Sequence, residues 1–187
     1  MGQPVEVIVS ADVLVAALSR LSPAAVVFPA MPPKTVDPHA DVVGAFVGSE
    51  GDFALILSEE ILTQAVTALT DRRGLGWAFD AAEEAVDVLC GIAGASGGGL
   101  VTEAHQVQLA KTGAAGAAAL RAAASKDLGF PRVVVTDDPD ALTLRTWAPH
   151  GVPWPTGEVV SLLSPTRFRD LVEQARWRYR KLGPRRP

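Results

Sequence analysis

Val133, Val134 and Val135 form an apolar, β-branched run that stops at Thr136-Asp137-Asp138-Pro139-Asp140, three carboxylates within four positions. Side chains of this kind are hydrated on neither face, so Arg132 to Val135 reads as a buried strand of a parallel sheet. In open α/β sheets, ligands sit in the crevice beyond the carboxyl ends of the strands. Carboxylates gathered there repel one another unless a cation lies between them, and Mg²⁺ or Mn²⁺ is the usual choice for oxygen ligands. The stretch therefore points to metal-dependent phosphoryl transfer. A structural reading competes with it. Asp137 and Asp138 are common turn formers after a strand, and one of them can cap a short helix over Asp140 to Leu144.

Other residues with chemical potential read more simply. His39, His105 and His150 show no metal-ligand spacing and read as surface or loop histidines. Cys90 falls on the apolar stripe of a helix and reads as a small buried hydrophobe. As the lone cysteine it forms no internal disulfide, which suits a cytoplasmic protein. Gly97 to Gly99 follow a helix, whereas a dinucleotide fingerprint follows a strand and opens a helix, so they read as a turn. Trp147 and Trp154 flank the proline-rich stretch Pro149 to Pro155. They can stack on a base or pack the loop onto the core.

Charge is unevenly spread. The chain has 17 basic and 21 acidic residues, a net charge of -4. Six of the basic residues, Arg176, Arg178, Arg180, Lys181, Arg185 and Arg186, follow Glu173 with no acid among them. The body is acidic and the tail, from about residue 176, is basic. Such a tail can hold nucleic acid or an acidic partner, or it can oppose the dipole at a helix C-terminus. Arg176, Arg180 and Lys181 share a helical face and are the candidate phosphate contacts.

At 187 residues and 48% hydrophobic, the chain is long enough for one domain with a full core and too apolar for disorder. No apolar run approaches the ~20 residues that span a bilayer. Met1 to Glu6 lacks the basic start of a secretory signal, and no membrane association is expected. Strands are expected at Val5 to Val9, Phe53 to Leu57, Leu100-Val101, Arg132 to Val135 and Val159 to Leu163, with a short one conceivable at Ala24 to Phe28. Helices are expected over Val13 to Leu21 with Asp12 as cap, from Pro38 to Val47, and after the cap Ser58. Further helices follow an Asp80–Glu83 capping box, run over Ala114 to Ser125, and begin at Ser164-Pro165. Strands alternating with helices imply a parallel sheet covered on both faces.

This order of pieces resembles the PIN domain family, the fold of many toxin–antitoxin ribonucleases. Val7-Ile8-Val9-Ser10-Ala11-Asp12-Val13-Leu14 resembles its opening strand and helix. Leu55-Ile56-Leu57-Ser58-Glu59-Glu60-Ile61-Leu62 resembles its second strand and following helix. Val134-Val135-Thr136-Asp137-Asp138-Pro139-Asp140 resembles its fourth strand and acidic turn, and Leu163-Ser164-Pro165-Thr166-Arg167-Phe168 its final strand and helix cap. The resemblance spans nearly the whole chain. It implies a single PIN-like domain over 1–187, a three-layer α/β/α sandwich with a central parallel sheet.

The resemblance also implies a site in which about four carboxylates hold Mg²⁺ or Mn²⁺ and activate water for phosphodiester hydrolysis. This chain departs from that pattern. Ser10 stands where the first metal-binding Asp is expected, with Asp12 at the following Asn position. Gln64 replaces a glutamate, and Gly113 and Gly116 replace the aspartates that open the alanine-rich helix. The nearest other acids to that helix in sequence are Glu103 and Asp127. By resemblance the catalytic candidates are Asp12, Asp137 and Asp138, with Asp138 and Asp12 as metal ligands and Ser10, Gln64 and Gly116 as vestigial positions. Asp12 also suits a helix N-cap. The site residues should converge at the carboxyl edge of one sheet, and Mg²⁺ or Mn²⁺ should bind only weakly. The implied function is a degenerate ribonuclease-superfamily protein that binds RNA or an antitoxin-like protein partner, with homodimerisation compatible. The alternative is an active toxin-like, Mg²⁺- or Mn²⁺-dependent endoribonuclease of a toxin–antitoxin system.

Overall fold

A computed structural model describes residues 4–20, 37–47, 52–104, 112–129, 131–149 and 159–182, with side chains up to Trp177 in the last stretch. The expected strand at 24–28, His105, His150 and Trp154 lie outside the described residues, as do the side chains of Arg180 and Lys181.

Six strands form one sheet among the described residues: β1 Val5–Val9, β2 Phe53–Ser58, β3 Gly99–Val101, β4 Arg132–Val135, β5 Thr146–Trp147 and β6 Val160–Leu163. Their spatial order is β3-β2-β1-β4-β6-β5, and all pairs are parallel except β5 with β6. β1 sits at the centre, with Val7 opposite Leu55 on one side and Val133 on the other. The helices are α1 Ala11–Ser19, α2 Pro38–Val47, α3 Glu59–Thr70, α4 Phe79–Ala95, α5 Ala114–Ala123, α6 Pro139–Leu144 and α7 Pro165–Leu182. They complete a three-layer α/β/α sandwich. Among the described residues no helix is long and apolar enough to cross a membrane.

The central strands are buried on both faces, which is why they are short unbroken apolar runs without alternation. Phe168 of α7 is fully buried. It stacks on Phe46 of α2 with ring centroids 6.0 Å apart and meets Phe53 of β2 edge-on at 5.6 Å, fixing the last helix to the core. The glycine turn after α4 is a packing device. A Cβ on Gly98 would lie 2.0 Å from the Leu55 carbonyl oxygen, so only glycine lets α4 return so close to β2. The Ser96 hydroxyl accepts the Leu55 N–H at 2.9 Å and ties the same turn down.

Two local expectations are corrected, and one strand is added to those expected. Asp12 is not the cap of α1. The helix begins at Ala11 with Ser10 in the N-cap position, and Asp12 lies in its first turn. Both are cap-forming residue types, and Ser10 prevails because its backbone and hydroxyl are already bound to the end of β4. Nor does Asp80 cap α4. That helix starts at Phe79, two residues earlier, with Ala78 in the N-cap position, because the Trp77 N–H bonds to Leu69 O at 2.9 Å and closes the preceding turn. Finally, Thr146-Trp147 pairs antiparallel with β6 as an edge strand that the sequence did not suggest. Trp147 packs against the core.

Candidate functional site

β1 and β4 are neighbours, so their carboxyl ends deliver Ser10, Asp12, Asp137 and Asp138 to one edge of the sheet. The Ser10 N–H donates to Val135 O at 3.0 Å, welding the two strand ends together. The buried Ser10 hydroxyl lies 3.1 Å from the same carbonyl and in short contact with Asp12 Oδ1. A hydroxyl has one proton, so these two acceptors compete for it. Asp12 Oδ1 also accepts the Val13 N–H at 2.9 Å. One oxygen of Asp12 is thus committed to holding the start of α1.

Asp138 is more fully engaged. It is 8% exposed and is the N-cap of α6, its Oδ1 accepting the N–H groups of Asp140 at 2.9 Å and Ala141 at 3.1 Å. Its own N–H is held by Thr136 Oγ1 at 3.1 Å. The other oxygen, Oδ2, accepts the N–H of Gly113 at the start of α5. One carboxylate therefore meets the N–H groups at the starts of two helices. Contact with α5 is close. A Cβ on Gly116 would stand 2.6 Å from Asp138 Oδ2, and one on Gly113 would stand 3.1 Å away. These glycines let the helix end press directly onto the carboxylate.

Asp137 points elsewhere. Its Oδ2 lies 2.6 Å from His39 Nε2, and His39 Nδ1 lies 3.1 Å from Asp37 Oδ1. Asp37 also accepts the His39 N–H at 3.0 Å and pairs with Arg20 at 2.8 Å. Burial alone would lower the His39 pKa, but the hydrogen bonds and charges of Asp137 and Asp37 outweigh it and raise the pKa above its ordinary value. Burial would likewise raise Asp37, yet the bonds from His39 and the Arg20 charge hold it below the usual carboxylate range. The imidazole thus bridges α2 and the acidic turn. No spacing in the sequence signals this, because the partners are 98 residues apart.

Gln64 lies on the α3 side of the same edge. Its amide nitrogen is 3.4 Å from both Ala114 O at the start of α5 and Glu60 Oε1. Glu60 in turn receives both arms of Arg121 of α5, while Glu103 Oε1 accepts the Glu60 N–H at 2.7 Å. The Glu60 hydrogen bond, with the charges of Glu60 and Glu103, raises the Arg121 pKa further. Neither Arg121 nor its pairing with Glu60 is signalled by spacing in the sequence. Asp127 stays apart, next to Ser125.

The structure thus gathers Ser10, Asp12, Gln64, Gly116, Asp137 and Asp138 around the ends of β1 and β4, with α5 linking Asp138 to Gln64. Arg176 lies apart on α7, where it is exposed, and Arg180 and Lys181 continue the same helix. Mg²⁺ and Mn²⁺ need several charged oxygens converging on one point. The donor set does not fit that need. Three backbone N–H groups occupy Asp138, His39 faces Asp137, and α5 brings glycines in place of acids. Among the described residues no group of three or more His, Cys, Asp or Glu side chains is gathered to hold a metal ion. As arranged, the edge is a group of carboxylates hydrogen-bonded by the chain's own N–H groups and imidazole. No protein-family model, curated protein or solved structure matches the chain.

Proposed function

We propose that this chain is a PIN-domain-like protein of the metal-dependent ribonuclease superfamily whose acidic site has become degenerate, and that it acts by binding RNA without cleaving it. The observation that carries the reading is the contact of Gly116 with Asp138. It stands at the edge where the resembling family gathers its metal ligands. There the carboxylate is spent on the backbone of α5 and α6, and α5 has no room for an acid of its own. Loss of the ligand set removes the means to activate water and to stabilise charge on phosphorus.

RNA is favoured over a protein partner by the basic run that begins at Arg176. The acidic body repels a phosphate backbone, so binding must fall on this helix end. The lone cysteine, Cys90, suits a protein of the cytoplasm, where RNA is met.

The test uses the full chain and fluorescein-labelled single-stranded RNA in a salt series, with a parallel cleavage assay in Mn²⁺. Binding should weaken steeply with salt as counterion release is opposed. Replacing Arg176, Arg180 and Lys181 by Gln should weaken it equally for all RNA sequences, because phosphates carry no base identity. The RNA should emerge intact. Absence of salt-sensitive binding would leave a protein partner as the ligand, and Mn²⁺-dependent cleavage lost on Asp138→Asn would restore the active, toxin-like reading.

A further inference from the structure

Trp177 lies on the outer side of α7. Phe168 and Val172 of that helix are buried, and Leu171 and Ala175 pack against the core beside them. From Phe168 to Trp177 is about two and a half helical turns, which puts Trp177 on the side opposite the core. It is 54% exposed, whereas Trp77 and Trp147 pack against the core. An indole is a large apolar surface whose burial is strongly favourable. A single exposed apolar residue is ordinary, and what sets this one apart is its company.

The positions one turn to either side of Trp177 are Glu173 and Gln174 before it, and Arg180 and Lys181 after it. All four are polar or charged, whereas the core of a protein–protein interface is depleted of charge. Beyond Glu173 the sequence holds six basic residues and no acid. Asp170 and Glu173, both exposed, occupy the turns before Trp177. A phosphate backbone is repelled by that side and drawn to the C-terminal one. An aromatic face beside a run of cations is the arrangement that holds single-stranded nucleic acid. The cations take the phosphates, and the ring stacks on a base of any identity.

We infer that Trp177 is the stacking platform for an unpaired base of single-stranded RNA. The inference rests on the RNA-binding reading above and adds the form of the ligand. The strand is unpaired and crosses α7 with its phosphates toward the helix end that carries Arg180 and Lys181, away from Asp170 and Glu173. Double-stranded RNA keeps its bases stacked on one another and meets only the cations. The carboxyl edge of the sheet plays no part in it.

The test measures binding of the full chain to fluorescein-labelled oligouridine and to a duplex RNA with the same number of phosphates, each over a salt series. Trp177→Ala should weaken oligouridine binding about tenfold. It should leave duplex binding and the salt dependence unchanged, because no phosphate contact is lost. Trp177→Phe keeps a stacking ring and should recover most of the loss. Replacing Arg176, Arg180 and Lys181 by Gln should instead weaken both probes and flatten the salt dependence. Oligouridine bound equally by wild type and Trp177→Ala would overturn the inference and leave the RNA-binding reading standing. Equal loss on both probes would also overturn it, since Trp177 would then support the helix and not touch a base. A wild type that binds neither probe in a salt-sensitive way would overturn the inference together with the reading it rests on.

Discussion

Gly116 lies so close beneath Asp138 that a Cβ at that position would stand 2.6 Å from Oδ2 and 3.1 Å from Cγ. Real Cβ atoms do not approach that closely, and the carboxylate cannot swing away without giving up Gly113 or the cap of α6. Glycine is normally a liability inside a helix. Here it is what allows α5 to dock on the acidic turn.

Gly116→Ala should therefore destabilise the fold by about 1–3 kcal/mol through overpacking, despite alanine's better helix propensity. Gly91 of α4 supplies the control, because a Cβ there meets nothing within 4 Å. Gly91→Ala should stabilise by roughly 0.5–1 kcal/mol. Urea denaturation of both variants checks the contrast, and equal signs would remove the docking role from Gly116.

Asp138→Ala should cost about 1–3 kcal/mol, since it uncaps α6 and leaves the Gly113 N–H without its acceptor. Asp138→Asn keeps an oxygen for the cap and should cost less. Both are measured by thermal or chemical unfolding. An Asp138→Ala protein as stable as wild type would show that the carboxylate is not a structural anchor.

Arg132 is a second anchor. It is 4% exposed, and its guanidinium donates to the carbonyls of Gly129 at 2.7 Å, Ala123 at 2.5 Å and Leu128. It thus ties the end of α5 to the start of β4. Arg132→Met should lose roughly 3 kcal/mol or more, because three carbonyls lose their charged donor. Arg132→Lys should rescue little, since an ammonium cannot span the same fork.

The His39 bridge gives a pH dependence with a definite sign. Its folded pKa is raised above the ordinary 6.5. The stability it contributes is fully present below that value and is lost as pH rises through the folded pKa. The stability difference between wild type and His39→Gln should thus be largest in mildly acidic solution and shrink toward alkaline pH. Asp37 acts in the opposite sense: its pKa lies below 3.8, so its contribution is present above that value and fades only in strong acid. A wild-type advantage that grows with pH through neutrality would contradict the bridge.

Much of this arrangement was legible where short-range chemistry decides it. The valines of β4, the Ser58 cap and an aspartate cap on α6 follow from neighbouring residues alone. Ser10 and Asp12 are both cap formers two positions apart, and only the contact of Ser10 with β4 decides between them. Thr146-Trp147 is too short for any periodicity and becomes a strand only by pairing with β6. His39 meets Asp137 across 98 positions, and Arg121 meets Glu60 across 61. Such partners are set by helix packing, which leaves no local mark. Gly113 and Gly116 could be seen as places lacking an acid. That they hold another acid could not, because an alanine-rich helix carries no pattern to fix what its end touches.

Calorimetric titration of Mn²⁺ into the full chain asks whether Asp138 serves a metal or the starts of α5 and α6. No stoichiometric binding is expected, and the same flat titration for Asp138→Asn. Tight one-to-one binding by wild type, abolished by Asp138→Asn, would contradict that expectation, because Asp138 would then be serving a metal and not the starts of α5 and α6.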